Sequence, residues 1–259
     1  MTKKNRIAGG AIALAMAVGT ASAQVETQWN FDGDLSAAFG NAVLDYYTEA
    51  TQSKVTFGDA AALAALTPDG GNPNVIALDY FATSDEAFVC QHDAPPNGGG
   101  IYVNEYTLIW DIYIPQSSFD NYGWLSFYNT NCCNGNDGDH FVRFSDGKFG
   151  VGALGYAGQI NPDTWHRCAI TFEVHGGGVR HRRYIDGVLV AQRSTDLDGR
   201  FSLYSADDPS YPWFHLMADN NGDMAPCVIA SVYFSDRVWT AAEIAALGCV
   251  SAGGATTAG

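Results

Sequence analysis

The stretch that most constrains this chain spans residues 141–193, where short apolar runs alternate with turn signals. Asp146-Gly147 separates the runs at 141–144 and 148–152. Gly176-Gly177-Gly178 separates 165–174 from 179–185, and Asp186-Gly187 separates the latter from 188–192. An Asp-Gly pair between apolar runs marks a tight hairpin, because both central residues of a type I′ turn need positive φ, which Gly and Asp tolerate best. The region is therefore predicted to be an antiparallel meander. Within it, Cys168, Ile170, Phe172 and Val174 fall on one face and Arg167, Thr171 and Glu173 on the other. That period of two predicts a half-buried strand.

The same alternation recurs elsewhere. Residues 106–114 place Tyr106, Leu108, Trp110, Ile112 and Ile114 toward a core, with Thr107, Asp111 and Tyr113 opposite. Residues 123–129 set Leu125 and Phe127 against Trp124, Ser126 and Tyr128. Further strands are predicted at 29–35, 75–80, 88–90, 201–204, 213–218 and 227–234, and residues 94–100 can only be a loop. A helical turn or two is predicted at 60–66 behind Asp59. A single amphipathic helix follows Thr240: Glu243 completes a capping box, Ile244 and Leu247 face inward, and Gly248 ends it. Many short strands with little helix predict an all-β fold of two stacked antiparallel sheets. It forms one domain, residues 24–249, before a small polar segment, residues 250–259, predicted to be a flexible tail.

Residues 1–23 read as a signal peptide: Lys3, Lys4 and Arg6, a short apolar run at 7–18, then Ala21-Ser22-Ala23. The apolar run falls short of the roughly 20 residues a membrane span needs, and no later segment qualifies. Cleavage near Ala23 predicts a secreted, periplasmic or cell-surface protein. Losing those three basic residues moves the formal charge from −15 to −18. Such a surface repels phosphate backbones, which excludes nucleic acid as a natural partner. It admits divalent cations and neutral ligands such as glycans, or serves solubility in salty surroundings. Six cysteines, Cys90, Cys132, Cys133, Cys168, Cys227 and Cys249, in an exported chain predict disulfides whose pairing the sequence leaves open.

Several pieces together resemble the laminin G-like, concanavalin A-like domains of bacterial exported proteins. They are the opening Trp29-Asn-Phe-Asp-Gly, the strand Tyr106-Thr-Leu-Ile-Trp-Asp, and the block Trp165-His-Arg-Cys-Ala-Ile-Thr-Phe followed by Tyr184-Ile-Asp-Gly-Val-Leu-Val. The closing Val232-Tyr-Phe-Ser-Asp and Trp239-Thr-Ala-Ala-Glu-Ile-Ala-Ala-Leu-Gly complete the set. The resemblance implies a jelly-roll sandwich of two curved sheets that binds glycans or proteins, often with calcium. It implies no reaction.

Enzyme readings find little to stand on. Glycoside hydrolysis needs two carboxyl groups flanking the bond, about 5–5.5 Å apart for retention. Jelly-roll glucanases supply them from a Glu-x-Asp-x-(x)-Glu strand, yet no glutamate here has another within five positions. The Arg-x-Glu and Gln-Ile-His strands of alginate-type lyases and the Gly-x-Ser-x-Gly of serine hydrolases are also missing. The histidines are isolated, and the readings that remain beside binding are an enzyme with an unfamiliar site or a structural, adhesive surface protein. Two acidic loops offer oxygens around a glycine, as calcium requires: 134–139, with Asp137 and Asp139, and 219–223, with Asp219 and Asp223. Tyr122, Trp124 and Tyr128 on one strand, with Tyr204, Tyr211 and Trp213 around the loop at 206–212, are candidates for a platform on which sugar rings stack. The sequence thus predicts a non-catalytic domain that binds a glycan or glycosylated protein. Arg180, Arg182 and Arg183 are expected to form surface ion pairs.

Overall fold

The computed structural model describes residues 24–131, 137–208, 211 and 213–255. Residues 1–23, read above as a signal peptide, Cys132, Cys133, residues 134–136 of the first acidic loop and the last four residues of the predicted tail lie outside the described residues.

Strands β1 (Glu26–Trp29), β2 (Ala37–Phe39) and β3 (Val43–Tyr46) lead into α1 (Glu49–Ser53), β4 (Val55–Asp59) and α2 (Ala60–Leu63). Next come β5 (Asn74–Leu78), β6 (Phe88–Gln91), β7 (Tyr106–Tyr113), α3 (Gln116–Asn121) and β8 (Trp124–Asn129). The meander is β9 (Asp139–Arg143), β10 (Lys148–Val151), β11 (Gly155–Ala157), β12 (Trp165–His175), β13 (Gly178–Ile185) and β14 (Val188–Thr195). The chain closes with β15 (Phe214–Leu216), β16 (Cys227–Ser235) and α4 (Ala241–Leu247).

These strands form two antiparallel sheets. The nine-stranded sheet runs β14-β13-β12-β7-β16-β1-β2, with β5 also on β16 and β4 on β5; the seven-stranded sheet runs β11-β10-β9-β8-β15-β6-β3. Their inner faces meet in one apolar core that includes Trp29, Leu108, Trp110, Leu125, Phe127, Phe149, Ile170, Phe172 and Phe234. Asp186 and Gly187 join β13 to β14 with φ of 50° and 79°, the turn that the Asp-Gly pair predicts. Thr240 and Glu243 cap α4 reciprocally and Ile244 is buried beneath it, as the capping box requires. The strand expected at 201–204 reduces to one bridge, Val103 to Leu203.

The half-buried strand is a correction. Arg167 and Thr171 are as buried as the residues facing the core, because a second layer covers the outer face of the nine-stranded sheet. Ile109, Ala169, Tyr184, Tyr233, Trp239, Ile244 and Ala255 cluster there. The segment assigned to a flexible tail helps to build that layer: Val250 and Ala255 are buried and the Gly254 carbonyl accepts from Arg167 Nη2 at 2.8 Å. The four described cysteines, Cys90, Cys168, Cys227 and Cys249, carry free thiols, so none of them forms the expected disulfide; the first three sit buried, Cys90 and Cys168 among apolar side chains of the main core. Arg180 and Arg182 pair with Glu173 at the surface, whereas Arg183 is buried and donates to the carbonyls of Phe149 and Leu154.

Candidate functional site

The seven-stranded sheet and the loops beside it carry most of the candidates. Strand register places Asp45, Val89, His215, Asn129 and Asp139 in one row across β3, β6, β15, β8 and β9. On β9, Asp139, Phe141 and Arg143 point outward while His140 and Val142 enter the core; the His140 ring lies 4.6 Å from that of His181 on the facing sheet.

The two acidic loops converge on this row. Asn129 Nδ2 donates to Asp137 Oδ2. Asp219 Oδ2 accepts from the N–H groups of Asn221 and Asp223 at 2.9 Å each, the Asx turn that Asp favours. The Ser126 N–H donates to the Asp223 carbonyl at 3.1 Å and so ties the second loop to β8. Arg200 approaches from a third segment: its Nε donates to the Asp137 carbonyl at 2.7 Å and its Nη2 lies 3.4 Å from Asp139 Oδ1. Gly138 makes this approach possible, since a Cβ there would stand 2.4 Å from the Arg200 carbonyl.

One guanidinium among four carboxylates leaves negative charge uncompensated. Burial, then the neighbouring Asp137 and Asp219, push the Asp139 carboxyl up to about 7 against the pull of Arg200. Burial raises Asp137 and Asp223 as well, with Asp219 adding to each. The four share a field without sharing a point: among the described residues no three Asp, Glu, His or Cys side chains are gathered closely enough to hold one metal ion. Arg200 stands beside them as counter-charge, its Nη2 nearest to Asp139.

Beside Arg200 opens a cavity of about 190 Å³ walled by Tyr102, Thr130, Asn131, Asp198, Ser202 and Tyr204. Its walls are fixed by a polar weld between two loops. The bridge from Val103 to Leu203 joins them, and Asp198 accepts from the N–H groups of Ile101 and Tyr102. Asn104 accepts from Asp198 N at 2.8 Å and Ser202 Oγ at 2.6 Å, and donates to Asp198 Oδ1 at 2.9 Å. Burial would raise Asp198, but these bonds from Asn104, Ile101 and Tyr102 hold it below its ordinary value. Half-buried rings then run outward from the mouth: Tyr102 to Tyr204 at 5.2 Å, Tyr204 to Tyr211 at 5.3 Å, Tyr211 to Trp213 at 4.9 Å.

The six aromatic candidates therefore do not form one platform. Tyr204, Tyr211 and Trp213 belong to this row. Trp124 lies in a second group across the acidic residues, 5.4 Å from Tyr156 and 5.9 Å from Phe141, with the Arg143 guanidinium 4.3 Å over Tyr156. Tyr122 stacks separately on Tyr80 at 5.0 Å. Tyr128 is a correction: it is fully buried in the core, its hydroxyl 3.3 Å from that of Tyr106. A bulge between Ser126 and Tyr128 breaks the alternation and turns Tyr128 inward. Of the residues around this cavity the sequence singled out Tyr204, Tyr211 and Trp213, but not Tyr102, Asp198 or Arg200. No spacing in the sequence joins residues 102 and 204, and only the Asn97-to-Gly100 turn residues hint at an ordered loop there. Tyr211 Oη lies 3.2 Å from His215 Nδ1, but His215 is buried and burial lowers it to about 4, leaving it uncharged and out of reach of solvent.

No protein-family model matches the chain, and no curated protein sequence matches it. Solved structures do. The binding domain of Paraclostridial Mosquitocidal Protein 1 is similar at TM-score 0.53 and 12% identity, covering 86% of this chain and 51% of that one. Trypanosoma rangeli sialidase is similar at TM-score 0.52 and 10% identity, over 85% of this chain and 32% of that one. The receptor binding domain of botulinum neurotoxin type G is similar at TM-score 0.50 and 13% identity, over 86% and 49%. The chain thus spans about half or less of each structure. At these identities the likeness is one of fold: a two-sheet jelly-roll sandwich.

Proposed function

We propose that this chain is an exported, glycan-binding jelly-roll domain whose binding site is the cavity between Tyr102 and Tyr204 with the aromatic row leading from it. The observation that carries the reading is this combination of a polar, rigidly welded pocket and a line of half-buried rings. Sugars present both C–H faces that pack on aromatic rings and hydroxyls that need fixed hydrogen-bond partners. Two of the similar structures are binding domains and the third is a sialidase, which supports a binding role for this fold here. Export rests on the basic, apolar and small-residue order of residues 1–23.

The test is a glycan array followed by calorimetric titration of the best ligand. Tyr204→Ala is expected to weaken binding at least about tenfold, the loss that one stacking ring supports, with the melting temperature little changed. Unaltered affinity would move the site elsewhere.

Calcium enters as a second element, favoured by the excess of carboxylate over guanidinium at Asp137, Asp139, Asp219 and Asp223. These four would have to draw together around the ion. An ion that binds only the folded state raises its stability, so a calcium-dependent rise in melting temperature that Asp219→Ala removes is the outcome that supports it. A catalytic reading is favoured by one observation, the Asp139 carboxyl pushed to about 7, which is the property of a general acid. Release of reducing ends from a polysaccharide panel, absent in Asp139→Ala, would establish it.

A further inference from the structure

We propose that the Tyr102–Tyr204 cavity selects a cationic amino sugar over neutral and anionic ones; this rests on the glycan-binding reading. The size of the space sets the first limit. At about 190 Å³ it is smaller than the roughly 300–1,000 Å³ of drug-sized ligand sites, which leaves room for one ring of a glycan rather than several.

Charge sets the second. Among the described residues the cation lining the cavity is Arg200, and its guanidinium is already committed to the Asp137 carbonyl and Asp139. Asp198 keeps more room for a donor. Asp198 is kept ionised by its bonds from Asn104, Ile101 and Tyr102, and three of the four contacts fall on Oδ1. Among the described residues Oδ2 accepts from the Ile101 N–H alone, at 3.1 Å. A carboxylate oxygen has two lone pairs, so Oδ2 retains an acceptor site for an incoming N–H donor. Asp208 and Asp198 both act on the Tyr102 hydroxyl, and together with burial and Tyr204 they raise it.

The walls set the third. Tyr102 and Tyr204 meet edge to face, with their centroids 5.2 Å apart. The electron-rich face of a tyrosine attracts an ammonium group within about 6 Å of its centroid. A protonated 2-amino sugar would offer C–H groups to the rings and its ammonium to Asp198 Oδ2. An uronate or sialate would bring its carboxylate into a site where Asp198 and Asp208 already repel it, on a chain whose formal charge is −15.

The test titrates the full mature chain with three oligomers of equal length, in low salt and below the amine pKa. They are a deacetylated glucosamine tetramer, its N-acetylated counterpart and a uronate tetramer. The deacetylated oligomer is expected to bind about tenfold more tightly than the acetylated one, and the uronate not at all. The preference should shrink as salt rises. Asp198→Asn, which keeps an acceptor for the two N–H groups, should reduce the deacetylated oligomer to the affinity of the acetylated one. Asp208→Asn makes the same test outside the weld, should Asp198→Asn melt early. Equal binding of the acetylated and deacetylated oligomers, or tighter binding of the uronate, would overturn the selectivity and leave glycan binding standing. Binding of none of the three overturns both.

Discussion

Two buried polar regions sit on opposite outer faces of this sandwich, and they are built differently. On the nine-stranded sheet Arg167 holds Asp111 through two bonds of 2.7 Å. Ser231 Oγ donates to the same carboxylate at 3.0 Å, and the spare guanidinium hydrogens go to the carbonyls of Leu247 and Gly254. Acid and base are equal in number, and the layer of α4 and residues 250–255 closes over them. On the seven-stranded sheet Arg200 acts on Asp137 and Asp139, with Asp219 and Asp223 adding further negative charge nearby, and its contact to Asp139 Oδ1 is 3.4 Å. A polar group that is satisfied inside the protein has its work done there; one left with unmatched charge beside a cavity is available to a ligand. The first region is accordingly read as structural and the second as the place of binding.

The largest effect should come from breaking the matched region. Arg167→Ala leaves Asp111 buried without a partner and is expected to cost about 3–5 kcal/mol by urea denaturation; a loss below 1 kcal/mol would show that the pair is not closed off from solvent. Ending the chain after Cys249 is expected to cost less, about 2–4 kcal/mol. Val250 and Ala255 then lose their burial and Arg167 its bond to Gly254. A truncated chain as stable as the whole would contradict the second layer.

Acidity should strike the core between the two regions. Burial holds His140 and His181 well below their ordinary 6.5, with Arg183 pressing on both. Burial also takes His92 and His215 to about 4. Each imidazole is uncharged when folded and takes a proton below about 6.5 when unfolded. Their contribution to stability is therefore complete above 6.5 and drains as pH falls toward the folded values, at about 1.4 kcal/mol per pH unit for each fully depressed group. Denaturant midpoints between pH 7 and 4 should fall, and less steeply in the His140→Phe, His181→Phe double variant. Parallel curves would remove the histidines as the cause.

The features written locally in the sequence are the ones that could be read from it. The Asp186-Gly187 turn and the Thr240 to Gly248 helix are fixed by residues next to one another, so spacing alone determines them. Asp111 and Arg167 stand on alternating positions that predict solvent, and what buries them is a cover supplied by residues 240–255, far along the chain. Tyr128 escaped the alternation because a bulge leaves no mark on composition. At the site, the acidic loops carried their own signal in Asp137, Asp139, Asp219 and Asp223, but the fact that they meet did not. Tyr204 was legible only as one of the aromatics beside Tyr211 and Trp213, and Tyr102 and Asp198 were invisible: a cavity wall made by two loops about a hundred residues apart has no spacing to detect.

The contrast between a matched and an unmatched region is tested most directly by the thermal stability of Asp139→Asn beside the parent chain. A folded value near 7 against an ordinary 3.8 means that Asp139 favours the fold below 3.8 and loses that advantage as pH rises to about 7. At pH 8 its ionised form weighs against folding, and Asn removes that charge. The account predicts a melting temperature about 2–4 °C higher than the parent at pH 8, the shift produced by about 1 kcal/mol in a chain of this size, and a smaller gain at pH 4. A fall in melting temperature at pH 8 like that of the Arg167 variant would mean that Asp139 is bound into the structure as firmly as Asp111, and would contradict it.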